Sequence, residues 1–370
     1  MGRFRKFFLG EDSEHKLSPV DPETDRVVAE MPIVAREPEG GAYRVAVGEG
    51  AVWAQSVRGS PFKVDPATNE VVAEVDLGDY SSDLAVYGGS VGATAQVSVG
   101  TRLFRVDPRT GEEVEATTLK DFATNTMEVA VGSGSVWVAS TSSEAGVVLR
   151  VDPETNRVVD RIPVGSPTGL AFGHGSVWVT SSGSGTLSRV DPRTGEVAEE
   201  IEVGRGALDV AVDDGSETVW VASGSFFSME NPEHHKLSRV DAATDRVVAQ
   251  IPIAARRPEG GAQSVTVGEG AVWAQSVRGK LFVIDPATNE LVAAVPLGDY
   301  SSDLAVYGGA VWATAQIYVG TRLFRVDPRT ARVIASEHGP DPAEGGYGGL
   351  VAGGGYVWFG SGDGLARVAP

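Results

Sequence analysis

The stretch TGLAFGHGSVWVTSSGSGTLSRVDPRTGEVAEEIEVG, residues 168–204, decides the fold. It holds four short runs rich in Val, Leu, Phe, Trp and Thr, separated by clusters of Gly, Ser, Asp-Pro and Thr-Gly. No window of ten or more residues shows helical spacing, and glycine recurs too often for a helix to form. In the DPRTG segment proline presets its own φ and the Asp carboxylate can accept backbone amides two residues on. Glycine then tolerates a positive φ, which makes the segment a hairpin turn. The stretch predicts four antiparallel strands, A to D, with that turn between C and D.

The same phrase recurs along the chain. V-D-P stands at 20–22, 64–66, 106–108, 151–153, 190–192 and 326–328, with VDA at 240–242, IDP at 284–286 and VAP at 368–370. V-W stands at Trp53, Trp137, Trp178, Trp220, Trp273, Trp312 and Trp358. An eighth slot falls on Gly92, because GDYSSDLAVYGG occurs at both 78–89 and 298–309 and this offset pairs Gly92 with Trp312. The eight slots have a mean spacing of about 44 residues, the size of a four-stranded propeller blade. The duplication then spans five whole blades.

A blade cannot bury both faces alone, so a ring of blades supplies the core and the strand-B Trp fills each blade junction. The expectation is an all-β, eight-bladed propeller occupying 1–370 as one domain. Seven blades would require one V-W slot to be a decoy, with Gly92 the candidate; glycine there predicts a loosely packed second blade. Residues 16–33 would supply closing strands, 34–336 blades 1–7, and 337–370 the inner strands of blade 8. The C-terminus has A, B and C-like strands without a D. The N-terminus has a C-like segment (17–21) and a D-like strand (26–33). That D strand should complete the last blade, which leaves one C-like strand surplus, and both remain candidates for its place.

Composition narrows the function classes. The chain is 42% hydrophobic and carries no apolar run long enough for a membrane helix. It has no cysteine, which excludes disulfides, thiolate metal sites and cysteine nucleophiles. A formal charge of −19 opposes loose binding to nucleic acid or anionic lipid and fits a cationic partner or simple solubility. Arginine exceeds lysine 25 to 6, read here as genomic bias. The apolar part of MGRFRKFFLG is too short for a signal-peptide core, so the chain reads as cytoplasmic as written. A chain that begins after a removed signal, and so is extracellular or periplasmic, would read the same.

At VDPETNRVVDRIPVGSPTGLAFGHGSVWVTSSGSGTLSRVDPRTGEV (151–197) the text resembles the YVTN-type propeller repeat of bacterial and archaeal surface and periplasmic proteins. It is similar as well to the virginiamycin B lyase-like group. The resemblance covers nearly the whole chain from about residue 16, and such blades host many functions. The lyase resemblance implies a Mg-dependent elimination by His and Glu side chains, with one His just after a strand B. Here no strand B is followed directly by His; the nearest, His234 and His235, sit in an insertion.

Few other motifs carry chemistry. GGSVG at 88–92 matches a nucleophile elbow, but it falls on a strand-to-strand turn and its copy reads GGAVW, so no catalytic residue is assigned. His174 lies in an A–B turn, and His15 is the copy of His235. The richest cluster belongs to the D–A and B–C connections, which emerge together around the mouth of a propeller channel. The D–A loops bring Glu39, Asp79, Tyr80, Asp83, Glu259, Asp299, Tyr300, Asp303, Glu344 and Tyr347. The B–C loops add Gln55, Arg58, Gln96, Gln275, Arg278, Gln316 and Tyr318. Carboxylates, amides and Tyr rings at a concave mouth suit a small polar or cationic ligand, or an ion with oxygen ligands. The competing reading is that they are struts repeated by duplication.

The insertion FFSMENPEHHK (226–236) offers Phe226, Phe227, Met229, His234 and His235 as a contact loop for a protein partner, or as a channel plug. The functional expectation is a monomeric, non-catalytic binding or scaffold module without a cofactor. The alternative is a lyase or hydrolase using Mg or Ca at the channel mouth.

Overall fold

The computed structural model describes residues 17–19, 28–32, 42–56, 60–78, 80–97, 100–119, 125–141, 146–224, 234–253, 261–317, 320–338, 349–361 and 364–368. Among these there is no α-helix, and the strands form eight antiparallel sheets. Seven sheets have four strands in sequence order. The eight-blade count therefore holds, the seven-blade alternative falls, and Gly92 marks a true blade.

In blade 4 the strands are A (Pro167–Gly173), B (Ser176–Ser181), C (Thr186–Val190) and D (Val197–Glu202). The innermost A strands of the other blades are Ala42–Gly48, Tyr80–Tyr87, Asn125–Gly132, Ala207–Asp213, Ala262–Gly268, Tyr300–Tyr307 and Leu350–Gly353. Each packs beside the A strand of the next blade, and that of blade 1 meets blade 8.

The C–D turns behave as their chemistry dictates. Asp65, Asp107, Asp152, Asp191, Asp241, Asp285 and Asp327 each accept, through Oδ1, the backbone N–H two residues on, at 2.7–3.1 Å. Asn69, Asn156, Asp245 and Asn289 take the positive φ that the turn demands.

The core is divided among the junctions rather than gathered in one place. Eight apolar clusters each span two neighbouring blades. Seven contain the strand-B Trp of the earlier blade. The eighth, between blades 2 and 3, contains Tyr87 instead. A Cβ on Gly92 would lie 2.6 Å from Tyr87 Cε1, so the phenol occupies the space an indole would claim. Tyr87 is 6% exposed, and burial pushes its hydroxyl up to about 12 against the opposing charge of Arg105. The expected looseness of blade 2 is thus corrected: a ring from the preceding strand fills the gap.

Arginine has a structural task at these junctions. Arg150, Arg189, Arg239, Arg325 and Arg367 on C strands stand directly across from the strand-B Trp. Arg239, Arg325 and Arg367 lie over those indoles at 5.3–5.5 Å, a cation–π arrangement. Arg150, Arg239 and Arg367 then reach the next blade's C–D turn at Pro192 O, Pro286 O and Pro66 O, and Arg105, across from Gly92, reaches Glu154 O in the same way. Genomic bias alone does not account for these guanidinium groups, because a planar fork can both stack and donate.

Ring closure settles the surplus strand. Val28–Pro32 pairs with Gly364–Val368 as strand D of blade 8, with Met31 opposite Leu365. This is the register of Ile251 against Leu237 in blade 5, the duplicated counterpart. Met31 is 1% exposed and packs with Trp358, Leu365, Val52 and Phe62 across the blade 8–blade 1 seam. The N-terminal C-like strand, Leu17–Pro19, lies outside as a fifth strand on Val28–Pro32. Its Pro19 stands where the copy has Arg239, so it offers neither a ladder N–H nor a guanidinium.

Candidate functional site

One position in each blade, immediately before the A-strand residue that pairs with the position after the strand-B Trp slot, defines the channel wall. Around the ring it reads Arg44, Asp83, Glu128, Gly169, Asp209, Ser264, Asp303 and Gly349. A shift in A–B pairing accompanies this position in seven blades: Ala42/Arg44, Ser81/Leu84, Thr126/Glu128, Pro167/Gly169, Ala207/Asp209, Ala262/Ser264 and Ser301/Leu304. Such bulges bend a strand and re-aim its side chains.

The side chains at this level join neighbouring blades. Asp83 Oδ2 accepts Val129 N–H at 2.7 Å, and Glu128 Oε2 accepts Leu170 N–H at 2.8 Å. Asp209 Oδ2 accepts Val265 N–H at 2.8 Å, and Asp303 Oδ2 accepts Leu350 N–H at 3.0 Å. Other junctions use amides or hydroxyls. Gln55 Nε2 donates to Thr94 O at 3.1 Å, Gln275 Nε2 to Thr314 O at 2.9 Å, and Thr168 Oγ1 to Ala207 O at 2.8 Å. At the closing seam a Cβ on Gly360 would collide with Ala42 O, so backbone meets backbone directly.

One guanidinium acts on all four carboxylates. Arg44 Nε is 3.5 Å from Asp83 Oδ1, and its charge is felt at Glu128, Asp209 and Asp303 as well. Glu128, Asp209 and Asp303 are half-buried, and Asp83 is buried. Burial is the largest influence and raises the proton affinity of Asp83, Asp209 and Asp303. Glu128 is pushed well above the ordinary range by burial, with Asp209 and Asp83 adding repulsion. The accepted N–H bonds and Arg44 oppose these increases without cancelling them.

The stability linkage follows in sign. A carboxylate that holds its proton more tightly when folded stabilises the fold fully below its unfolded value, near 4. That contribution is lost as pH rises through the raised folded value. Wild-type protein should therefore gain less stability than Asp209→Asn, or lose more, between pH 5 and pH 8. Thermal denaturation of both at the two pH values reads this directly. Equal pH dependence in the two proteins would show that Asp209 is not held in the raised state.

The residues named from sequence separate into groups. Asp83 and Asp303 belong to the channel wall. Gln55 and Gln275 are fully buried struts between blades rather than mouth-lining groups. Arg278 stacks 4.9 Å from the Tyr300 ring centre and donates to its hydroxyl at 2.8 Å. Asp299 is exposed and Gln96 and Gln316 are half-buried. His235 is buried, while His234 is half-buried beside it. The side chain of Tyr80 and residues Glu39, Arg58, Asp79, Phe226, Phe227, Met229, Glu259, Tyr318, Glu344 and Tyr347 lie outside the described residues. Among the described residues no three of His, Asp and Glu come close enough to hold a metal ion.

Arg44, Glu128 and Asp209 carry no turn signal in the sequence because they lie inside strands, as Asp83 and Asp303 do despite their expected place in D–A loops. Aligning the eight A strands on their paired apolar residues would have placed all of them in one column with Asp83 and Asp303.

Comparison with known proteins supports the architecture. A family model described as outer membrane protein assembly factor BamB matches residues 80–200. The computationally designed Ika8 protein is similar in structure, with a TM-score of 0.69 and 14% identity over 92% of this chain and 98% of that one. BamB from Moraxella catarrhalis superposes with a TM-score of 0.67 and 15% identity, over 90% of this chain and 97% of that one. No curated protein sequence matches. At these identities the likeness establishes the fold: this chain is a β-propeller repeat protein.

Proposed function

We propose that the protein is a non-catalytic binding or scaffold module that engages a cationic group of its partner at the channel mouth. The observation that carries this reading is the charge inventory of the wall. Asp83, Glu128, Asp209 and Asp303 share the charge of one guanidinium, Arg44, and all but the buried Asp83 are half-buried. The backbone N–H bonds they accept brace the ring, but each carboxylate oxygen has two lone pairs and can accept further donors. A bound cation would relieve the repulsion between them. The family matching residues 80–200 is described as an assembly factor, which favours a protein as the partner.

The test is binding of a fluorescent lysine- and arginine-rich peptide, followed by anisotropy at low and high salt. Binding should weaken with salt and fall at least tenfold in Asp209→Asn. An acidic peptide of equal length should not bind. Equal binding of the two peptides, or none of either, would end the proposal. The alternative from the virginiamycin B lyase resemblance is a divalent-ion enzyme at the same mouth. It requires Mg²⁺ or Ca²⁺ to raise the melting temperature in a chelator-reversible way.

A further inference from the structure

The internal duplication lets one half of the ring serve as a template for the other. In blades 1 and 2, Arg44 stands across from Gln55, and Gln55 Nε2 donates to Thr94 O. Thr94 Oγ1 accepts Asp83 N–H at 3.1 Å, and the Arg44 guanidinium lies beside Asp83. In blades 6 and 7 the framework repeats residue for residue. Ser264 stands across from Gln275, Gln275 Nε2 donates to Thr314 O, and Thr314 Oγ1 accepts Asp303 N–H at 3.1 Å. One component differs: where the first half has Arg44, the second has Ser264.

The second wedge is thus a carboxylate site built like the first but, among the described residues, without a guanidinium in contact; Arg44 acts on Asp303 through its charge alone. Two further observations mark it as short of donors. Among the described residues, Gln275, which is 0% exposed, has no donor to its Oε1, and the buried Ser264 Oγ has no partner either. Gln55 Oε1 is likewise unpartnered, so the amide oxygen is common to both wedges and the guanidinium alone distinguishes them. Asp303 uses its oxygens on Leu304 and Leu350 N–H, as Asp83 uses Oδ2 on Val129 N–H, and the latter arrangement still leaves room for Arg44. Asp303 is also partly open to the channel, so a solute can reach it.

From this we infer that the wedge between blades 6 and 7, formed by Ser264, Gln275 and Asp303, binds a guanidinium group. The group is supplied by a small solute or an arginine side chain and takes the place that Arg44 fills between blades 1 and 2. A guanidinium suits it because its planar fork can meet the carboxylate while other N–H groups reach neutral acceptors. The inference rests on the cationic-partner reading above and gives it an address.

Equilibrium dialysis with radiolabelled methylguanidinium tests it, with tetramethylammonium, a cation without N–H donors, as competitor control. Wild type should bind about one equivalent that tetramethylammonium does not displace. Ser264→Arg, which rebuilds the first wedge in the second, should bind none and should melt at a higher temperature than wild type. Asp303→Asn should weaken binding at least tenfold. Arg44→Ser, if it folds, should bind about two equivalents. No binding to wild type would mean an ordered water only, and undiminished binding to Ser264→Arg would place any ligand elsewhere. Loss of methylguanidinium binding in Ser264→Arg with basic-peptide binding retained supports the wedge and shows that the peptide uses other groups. If wild type binds the peptide but not methylguanidinium, the wedge falls alone.

Discussion

Deletion of residues 1–33 is expected to abolish cooperative folding, whereas deletion of residues 1–20 should leave the melting temperature nearly unchanged. The longer deletion removes Val28–Pro32, and with it the four-residue pairing to Gly364–Val368 and the Met31 side chain. Loss of a buried methionine side chain alone costs about 2–5 kcal/mol. The deletion also uncovers Trp358 and Leu365 and leaves an unpaired edge at blade 8. Together these losses approach the whole stability of a typical domain, about 5–15 kcal/mol. Among the described residues the shorter deletion removes only Leu17–Pro19, an outer strand ending in a proline. Urea denaturation followed by circular dichroism distinguishes the two. A truncated 34–370 chain that unfolds at the wild-type midpoint would show that the N-terminal strand does not close the ring.

Trp178→Ala carries the second large effect, an expected loss of about 3–5 kcal/mol. Trp178 is fully buried between blades 4 and 5 and donates Nε1–H to Gly173 O at 3.2 Å. Its removal empties a cavity between two rigid sheets that cannot collapse onto each other without breaking the ring. The converse substitution checks the same principle. Gly92→Trp restores the repeat but drives an indole into Tyr87, and overpacking of this kind costs about 1–3 kcal/mol. Adding Tyr87→Ala should recover part of that cost. If Gly92→Trp alone stabilised the protein, the phenol would not be filling the slot.

The channel shows how far a sequence can be read. Asp83 and Asp303 were accessible because the duplicated phrase drew attention to both. Glu128 and Asp209 have the same role but sit in MEVAV and LDVAV, where nothing local separates an inward carboxylate from an ordinary strand acid. Gln55 and Gln275 looked like mouth residues because they follow the Trp on strand B, yet the bulged register turns them into the junction. The Pro19 for Arg239 exchange stands in the letters, yet by itself it left both C-like strands as candidates for the inner sheet. It becomes decisive only once the function of that arginine, stacking on an indole and capping the next turn, is known.

Local chemistry settled most of the architecture. The Asp-Pro turn, the alternation of apolar runs and the period of about 44 residues act over a few bonds or within one blade. They specify strands, hairpins and blade number without reference to the rest of the chain. The tertiary structure alone decided which residues share a space across blades. Tyr87 fills the gap left by Gly92, Arg44 meets Asp83 while Ser264 brings no guanidinium to Asp303, and residues 28–32 close the ring on 364–368. These outcomes depend on volumes and charges brought together from distant positions. No local spacing encodes them, because contact between blades is created only when the ring shuts.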